Sequence, residues 1–300
     1  MSSKNFGHLR LIIFFTVIIY LLSFITPDTD LEILNINILQ FVLFYVWIVQ
    51  IIGFIFGFIY QTERYYDFIG SLTYSSSTLI IYFSLPAKSL TDSILLILVL
   101  IWSLRLGLFL FRRILEDGHD TRFDKPKQSF FHFLQYWTGQ AMWVSFTCIA
   151  VYVAMISQEN NALSIVSLIG LFIWVAGFVI EVVSDSQKRN FRKDLNNKGR
   201  FISTGLWSRS RHPNYFGEIT LWVGISVISL SSLSGIGYVA LISPFFVYAL
   251  LSKGSGIPLL ERSADKKWGN ETDYQEYKKG TPVLFPKLFN NIKQSNDNGN

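Results

Sequence analysis

The sequence predicts an all-α fold, a polytopic integral-membrane helical bundle of about eight transmembrane helices, and three observations carry that expectation. Half of the 300 residues are apolar and only 16% are charged, against roughly a quarter charged in a soluble domain. The apolar residues gather into runs close to the ~20 residues that cross a bilayer. Lys and Arg crowd into alternate loops: Lys4 and Arg10, then Arg64, five between Arg112 and Lys127, eight between Lys188 and Arg211, and eight from Lys253 onward. The intervening loops hold only Lys88. Such a bias predicts an even number of spans with both termini cytosolic.

The expected spans are Leu9–Ile25, Ile38–Tyr60, Phe68–Leu85, Ile94–Phe111, Phe133–Ile156, Leu163–Val183, Pro213–Leu233 and Ile236–Leu251. Lys4 and Arg10 precede the first, but no small-residue cleavage site follows it, so it reads as a retained span rather than a signal peptide. In the second, Gly53 and Gly57 make a G-x-x-x-G suited to close packing against a helix of the same bundle. Ser71, Thr73 and Ser75 to Thr78 dilute the third. Arg105 lies within the fourth by hydropathy, and an intramembrane Arg reads as functional or paired. Gln140 is a polar position in the fifth that reads as a hydrogen-bonding residue inside the bundle. Pro244 predicts a kink in the eighth. Tyr274 and Tyr277, at i and i+3, predict a short amphipathic helix on the membrane face. The domain reading is an N-terminal transmembrane pair over 1–60, a main membrane domain over 61–286 and a disordered, asparagine-rich tail over 287–300. Cys148 is the single cysteine, which excludes an intrachain disulfide and a cysteine metal site. The four histidines lack metal-ligand spacing, so no metal is expected.

The segment Glu181 to Glu218 is the long polar interruption of the second half. Glu181, Asp185, Arg189 and Arg192 fall at i, i+4, i+8 and i+11, which places two carboxylates and two guanidinium groups on one face of a helix leaving the membrane. Asn196-Asn197-Lys198-Gly199 is a helix stop, with Gly able to adopt the left-handed conformation. Pro213 suits the first helical position and holds His212 extended, so the next helix should begin inside Ser208-Arg209-Ser210-Arg211-His212-Pro213-Asn214-Tyr215-Phe216-Gly217-Glu218. A helix N-terminus beside Arg209, Arg211 and His212 suits a phosphorylated cofactor.

The run GLWSRSRHPNYFGE, with the acidic-then-basic helix before it and GIPLLE and a Tyr-rich tail after it, resembles the steroid 5-alpha-reductase superfamily over about Tyr65 to Pro286. The resemblance implies an NADPH-dependent oxidoreductase acting on an activated carbon–carbon double bond of a lipid, of steroid or isoprenoid enone type. It implies Asp185, Arg189, Arg192, Arg211, His212, Asn214, Tyr215 and Glu218 as cofactor-binding residues in cytosolic loops, with arginines on the phosphates and Asn214 on the nicotinamide amide. Glu181 would touch ribose or Arg189. Superfamily reductases set a carboxylic acid and a tyrosine from the N-terminal half against the substrate carbonyl, which implies Tyr66, Asp67 and Glu63 as the catalytic group. Asp120-Thr121-Arg122-Phe123 resembles a further family loop in which Asp120 and Arg122 form a structural clasp. The implied partners are the membrane and a lipid-like small molecule, with no nucleic acid, and the implied location is the endoplasmic reticulum if the source is eukaryotic.

A rival reading is an S-adenosylmethionine-dependent membrane methyltransferase of the isoprenylcysteine or phospholipid type. Those enzymes share an RHP-x-Y-x-G element and a C-terminal Glu and Tyr-x-x-Tyr pattern, which Glu261, Tyr274 and Tyr277 would supply. Asp185 with its following arginines and the Asp120 loop favour the reductase. A third class, a receptor or scaffold with a vestigial pocket, would have lost the polar residues of the motif, and here they are present.

Overall fold

The computed structural model describes residues 3–27, 29–157 and 163–287. The tail expected over 287–300 therefore lies outside the described residues from position 288. In chain order the elements are α1 (Ser3–Leu22), β1 (Glu32–Ile33), β2 (Ile36–Asn37), α2 (Ile38–Ile59), α3 (Tyr66–Ser84), α4 (Leu90–Asp117), α5 (Phe130–Ser157), α6 (Ile165–Lys193), α7 (Pro213–Ser229), α8 (Ile242–Ala249), α9 (Ile257–Trp268) and α10 (Thr272–Gly280). The two strands form only a tight hairpin, with Ile33 opposite Ile36. Asn37 then caps α2 by accepting from the Leu39 N–H at 3.0 Å, which satisfies one of the free donors of the first turn.

Seven helical stretches among the described residues are long and apolar enough to cross a membrane. They match seven of the eight expected spans, and the one missing is α3. Its polar residues have a use inside the protein. Ser71, Thr73, Ser75, Ser77 and Thr78 are all buried, and each hydroxyl is hydrogen-bonded. Thr73 accepts from Gln50 of α2 at 2.8 Å, and Ser77 meets the Tyr152 hydroxyl of α5 at 2.7 Å. A helix that turns hydroxyls inward needs no continuous apolar run, so hydropathy under-reads it.

The chain folds as two compact units, one of Met1–Phe172 with Trp222–Val247 and one of Ile173–Leu221 with the described part of Tyr248–Asn300. The first is built around α5, which is buried along nearly its whole second half. Gly53 and Gly57 meet the rings of Trp137 and Phe133, so the G-x-x-x-G is a packing face within the unit. Gln140 Nε2 donates to the Tyr66 carbonyl at 3.1 Å, as its position predicts. The Arg105 guanidinium stacks over the Phe109 ring at 5.5 Å.

In the second unit the helical half of the polar segment is continuous with its span, and α6 runs to Lys193 before the chain turns at Gly199, φ +85°. α7 begins at Pro213, inside the motif, as expected. The backbones of α6 and α7 touch there: a Cβ on Gly217 would lie 2.6 Å from Glu181 N, and one on Gly177 2.5 Å from Leu221 N. The motif glycine is thus a packing requirement.

The expected eighth span is not α-helical throughout. Gly235–Leu241 is a 3-10 helix, and α8 begins only at Ile242. Pro244 therefore sits in the first turn of α8, where a missing N–H goes unneeded. A π-turn over Leu250–Gly254 follows, and α9 starts after it.

Candidate functional site

The second unit holds all eight residues to which the resemblance gives cofactor binding. Asp185 is buried at the acidic end of the α6 face, while Arg192 is exposed in the last turn of that helix. Trp207 is buried, and its indole N–H donates to the Ser184 carbonyl at 3.0 Å, which docks the motif's leading segment on α6. Gln187 Oε1 accepts from the Leu206 N–H at 2.9 Å beside Gly205, φ +62°.

The motif is bound by the chain's last described residues. The Arg211 N–H donates to the Pro282 carbonyl at 2.9 Å, Ser210 Oγ to the Leu284 carbonyl at 2.7 Å, and the Lys287 N–H to the Arg209 carbonyl at 3.0 Å. Tyr277 of α10 donates its hydroxyl to the Trp207 carbonyl at 2.7 Å. Arg209, Ser210 and Arg211 are therefore fixed from one side as they run from the turn at Leu206 into the start of α7.

The Arg211 and His212 side chains converge on Glu261 of α9. Its Oε2 lies 2.8 Å from an Arg211 terminal nitrogen, and its Oε1 accepts from His212 Nε2 at 2.9 Å. The imidazole is 5% exposed and stacks on the Tyr215 ring at 5.8 Å. Burial outweighs the carboxylate and holds the His212 pKa below its ordinary value, so the ring is neutral at pH 7. Since Nε2 carries the hydrogen toward Glu261, Nδ1 presents a lone pair. Arg211 Nε, His212 Nδ1 and Asn214 Oδ1 are all buried and have no partner among the described residues. Buried polar atoms are normally paired, so three orphans within four residues, one donor and two acceptors, mark a place where something else completes the hydrogen bonding.

This set, one donor and two acceptors at the N-terminus of α7, suits a ligand that carries both N–H groups and anionic oxygens.

The proposed catalytic trio lies in the first unit, around α3. The Tyr66 hydroxyl donates to the Tyr136 carbonyl at 2.9 Å, and the ring packs against Phe123 and Trp137. Asp67 stands 3.7 Å from Arg113 and 3.8 Å from Arg122. Glu63 accepts from Lys127 Nζ at 2.9 Å and from the Asp120 N–H at 3.1 Å. Burial alone would raise its pKa, but these two donors together bring it below the ordinary carboxylate range. Glu63 is thus an ionised acceptor. Asp120 and Arg122 form the expected clasp, with Arg122 Nε at 3.0 and 2.9 Å from the two carboxylate oxygens.

Sequence reasoning gave Glu261 a part only in the rival reading, and it missed the Pro282–Lys287 strap, Lys127 and Gln187. For Glu261 a signal existed: an Arg-His pair headed for burial needs a counter-charge. The strap uses backbone atoms and leaves no side-chain signal.

A family profile described as "Protein of unknown function (DUF1295)" matches residues 53–281. The chain is 31% identical over 122 residues to "3-oxo-5-alpha-steroid 4-dehydrogenase 1" of Macaca fascicularis, covering 41% of each chain. It is 30% identical over 124 residues to "Steroid 5-alpha-reductase DET2" of Arabidopsis thaliana, covering 41% of this chain and 42% of that one. It is also 33% identical over 98 residues to "Probable O-methyltransferase ustE" of Ustilaginoidea virens, covering 33% of this chain and 32% of that one. The matched stretches thus span less than half the length of these relatives. No solved structure matches.

Proposed function

Because the chain belongs to the DUF1295 family, which is steroid 5-alpha-reductase-like, we propose that it is an integral-membrane, NADPH-dependent reductase of an activated carbon–carbon double bond in a lipid of steroid or isoprenoid enone type. The observation that carries this reading is the trio of orphaned buried atoms at Arg211, His212 and Asn214. In this proposal NADPH, when bound, supplies the reducing equivalent, and the protein supplies binding, orientation and electrostatics. Arg189, Arg192 and Arg211 pair its phosphates, Asn214 and His212 accept from its N–H groups, and Asp185, Tyr215 and Glu218 shape the rest of the site. Glu261 acts from behind, holding Arg211 and the His212 tautomer in place.

Reduction of an enone puts negative charge on the substrate oxygen, and a hydrogen-bond donor aimed there lowers the barrier. We assign that role to Tyr66, whose single phenol hydrogen, given to the Tyr136 carbonyl here, would turn to the substrate oxygen when substrate is bound. Asp67, beside Arg113 and Arg122, and Glu63, tied to Lys127, would orient its surroundings. The charged loops and both termini are assigned to the cytosolic side, and the membrane to the endoplasmic reticulum if the source is eukaryotic.

The methyltransferase reading keeps one specific support, the match to the fungal O-methyltransferase, and Glu261 and Tyr277 both contact the motif. Thermal unfolding of the detergent-purified protein separates the two. A ligand at about 100 times its Kd stabilises by about 2.7 kcal/mol, so the reductase reading expects a raised midpoint with NADPH and none with S-adenosylmethionine. The opposite pattern would move the assignment to the methyltransferase.

A further inference from the structure

The residues of α9 divide by the direction in which their charges face. Ile257, Glu261, Ala264 and Trp268 recur at i, i+4, i+7 and i+11 and make the face that packs on the second unit. Both acids of the helix are spent on or beside that face. Glu261 holds Arg211 and His212, while Asp265 accepts from the Tyr274 hydroxyl at 2.9 Å and pairs with Lys278.

The opposite face carries Leu259, Leu260, Arg262, Ser263, Lys266 and Lys267, all of them exposed. It holds cations and no acid. Among the described residues neither Arg262 nor Lys266 takes part in an ion pair, and Lys267 lies over the Trp268 ring at 4.6 Å. The leucines are 45% and 39% exposed in the first turn, and Lys266 and Lys267 follow them two turns, or about 10 Å, along the axis. α9 leaves directly from the last of the stretches apolar enough to cross a membrane, the one that begins at Gly235. A helix that leaves a span with leucines first and uncompensated cations after them meets the bilayer in the order hydrocarbon, then headgroup. The tyrosines of α10 do not share this surface, since Tyr274 is buried and Tyr277 donates to the Trp207 carbonyl.

We propose that the outer face of α9 docks on the anionic phospholipids of its own leaflet, with Leu259 and Leu260 at the edge of the acyl chains and Arg262, Lys266 and Lys267 on the headgroup oxygens. A zwitterionic headgroup carries its own ammonium and attracts these cations less, so the anionic lipid is selected. A second copy of this chain would bring the same cations to the contact, and like charges oppose it. The face lies across the helix from Glu261, so this proposal and the reductase reading can each fail while the other stands.

The test follows amide hydrogen exchange of α9 in the full chain, held at one copy per nanodisc, in phosphatidylcholine alone and in phosphatidylcholine mixed with phosphatidylserine. The anionic lipid is expected to slow exchange across α9 by about tenfold, and added salt to shrink the difference, because surface charges are screened. In the triple variant Arg262→Gln, Lys266→Gln and Lys267→Gln the two lipid compositions are expected to give one rate. Equal rates for the wild-type chain with and without phosphatidylserine would overturn the proposal, and so would a phosphatidylserine effect that survives in the triple variant. Slowed exchange only in discs that hold two copies would give the face to a second chain and overturn it as well. The wild-type comparison decides the matter even where the triple variant fails to fold.

Discussion

Glu261 Oε1 lies 2.9 Å from His212 Nε2 and fixes which imidazole nitrogen carries the hydrogen. The contact sets a pH dependence with a definite sign. The folded-state pKa of His212 is depressed below the ordinary 6.5, so below that value the unfolded chain binds a proton that the folded one resists. Stability is then lost as pH falls through about 6.5. Unfolding midpoints between pH 8 and 5.5 check this. The drop is expected to shrink in His212→Gln, which has nothing to titrate, and an unchanged drop would assign it to another group.

Cofactor affinity rests on the arginines of the second unit. Arg192→Ala and Arg211→Ala are each expected to weaken NADPH binding by about 1.5–3 kcal/mol, through loss of a charge-assisted hydrogen bond. Arg211→Ala also frees Glu261, so it should lower the unfolding midpoint as well. Titration calorimetry together with unfolding curves separates the two effects.

For Tyr66, removal of the hydroxyl alone is the decisive change. Tyr66→Phe is expected to lower turnover of an enone by about 10²–10³ while NADPH binding is unchanged. Loss of the bond to the Tyr136 carbonyl should cost about 1 kcal/mol of stability in addition. Full turnover with that stability loss would leave Tyr66 a packing residue and assign the donor elsewhere.

Lys127 neutralises a Glu63 side chain that is only 4% exposed. Lys127→Met is expected to destabilise by about 2–3 kcal/mol, because the carboxylate stays buried after its cation has gone. Glu63→Gln combined with it should recover much of the loss. A double-mutant cycle measures that coupling.

Sidedness can be read from a sugar. Asn270-Glu271-Thr272 is a well-formed sequon at the start of α10, and the cytosolic assignment expects no glycan on it when the chain is made in eukaryotic cells. A glycosidase-sensitive mass shift that is lost in Asn270→Gln would place this region in the lumen.

What could be read in advance follows the range of the interactions. Pro213 opening α7, Gly199 ending the turn after α6 and the Asp120–Arg122 clasp are set by neighbours a few residues apart, and all stand in the structure as expected. α3, expected as the span Phe68–Leu85, stands as a helix over Tyr66–Ser84, although hydropathy scores its Ser and Thr as polar regardless of which way they face. The 3-10 stretch that opens the eighth span has no residue signature, and Pro244 is the visible helix breaker there. Glu63 with Lys127 and Glu261 with Arg211 join residues 64 and about 50 positions apart. No spacing rule reaches so far. The relatives' names reach the chemistry, but only for the stretch they share.

The strap at Pro282–Lys287 also has a consequence in time. Ser210 and the carbonyl it donates to are 74 residues apart, so at about 5–20 residues per second the ribosome makes the second about 4–15 s after the first. During that interval the motif has entered its place in the chain without the backbone partners that fix Arg209 to Arg211. A chain cut short just after α10 would insert its helices normally and still never complete the ligand site, so membrane insertion and ligand competence are separable milestones in the birth of this protein.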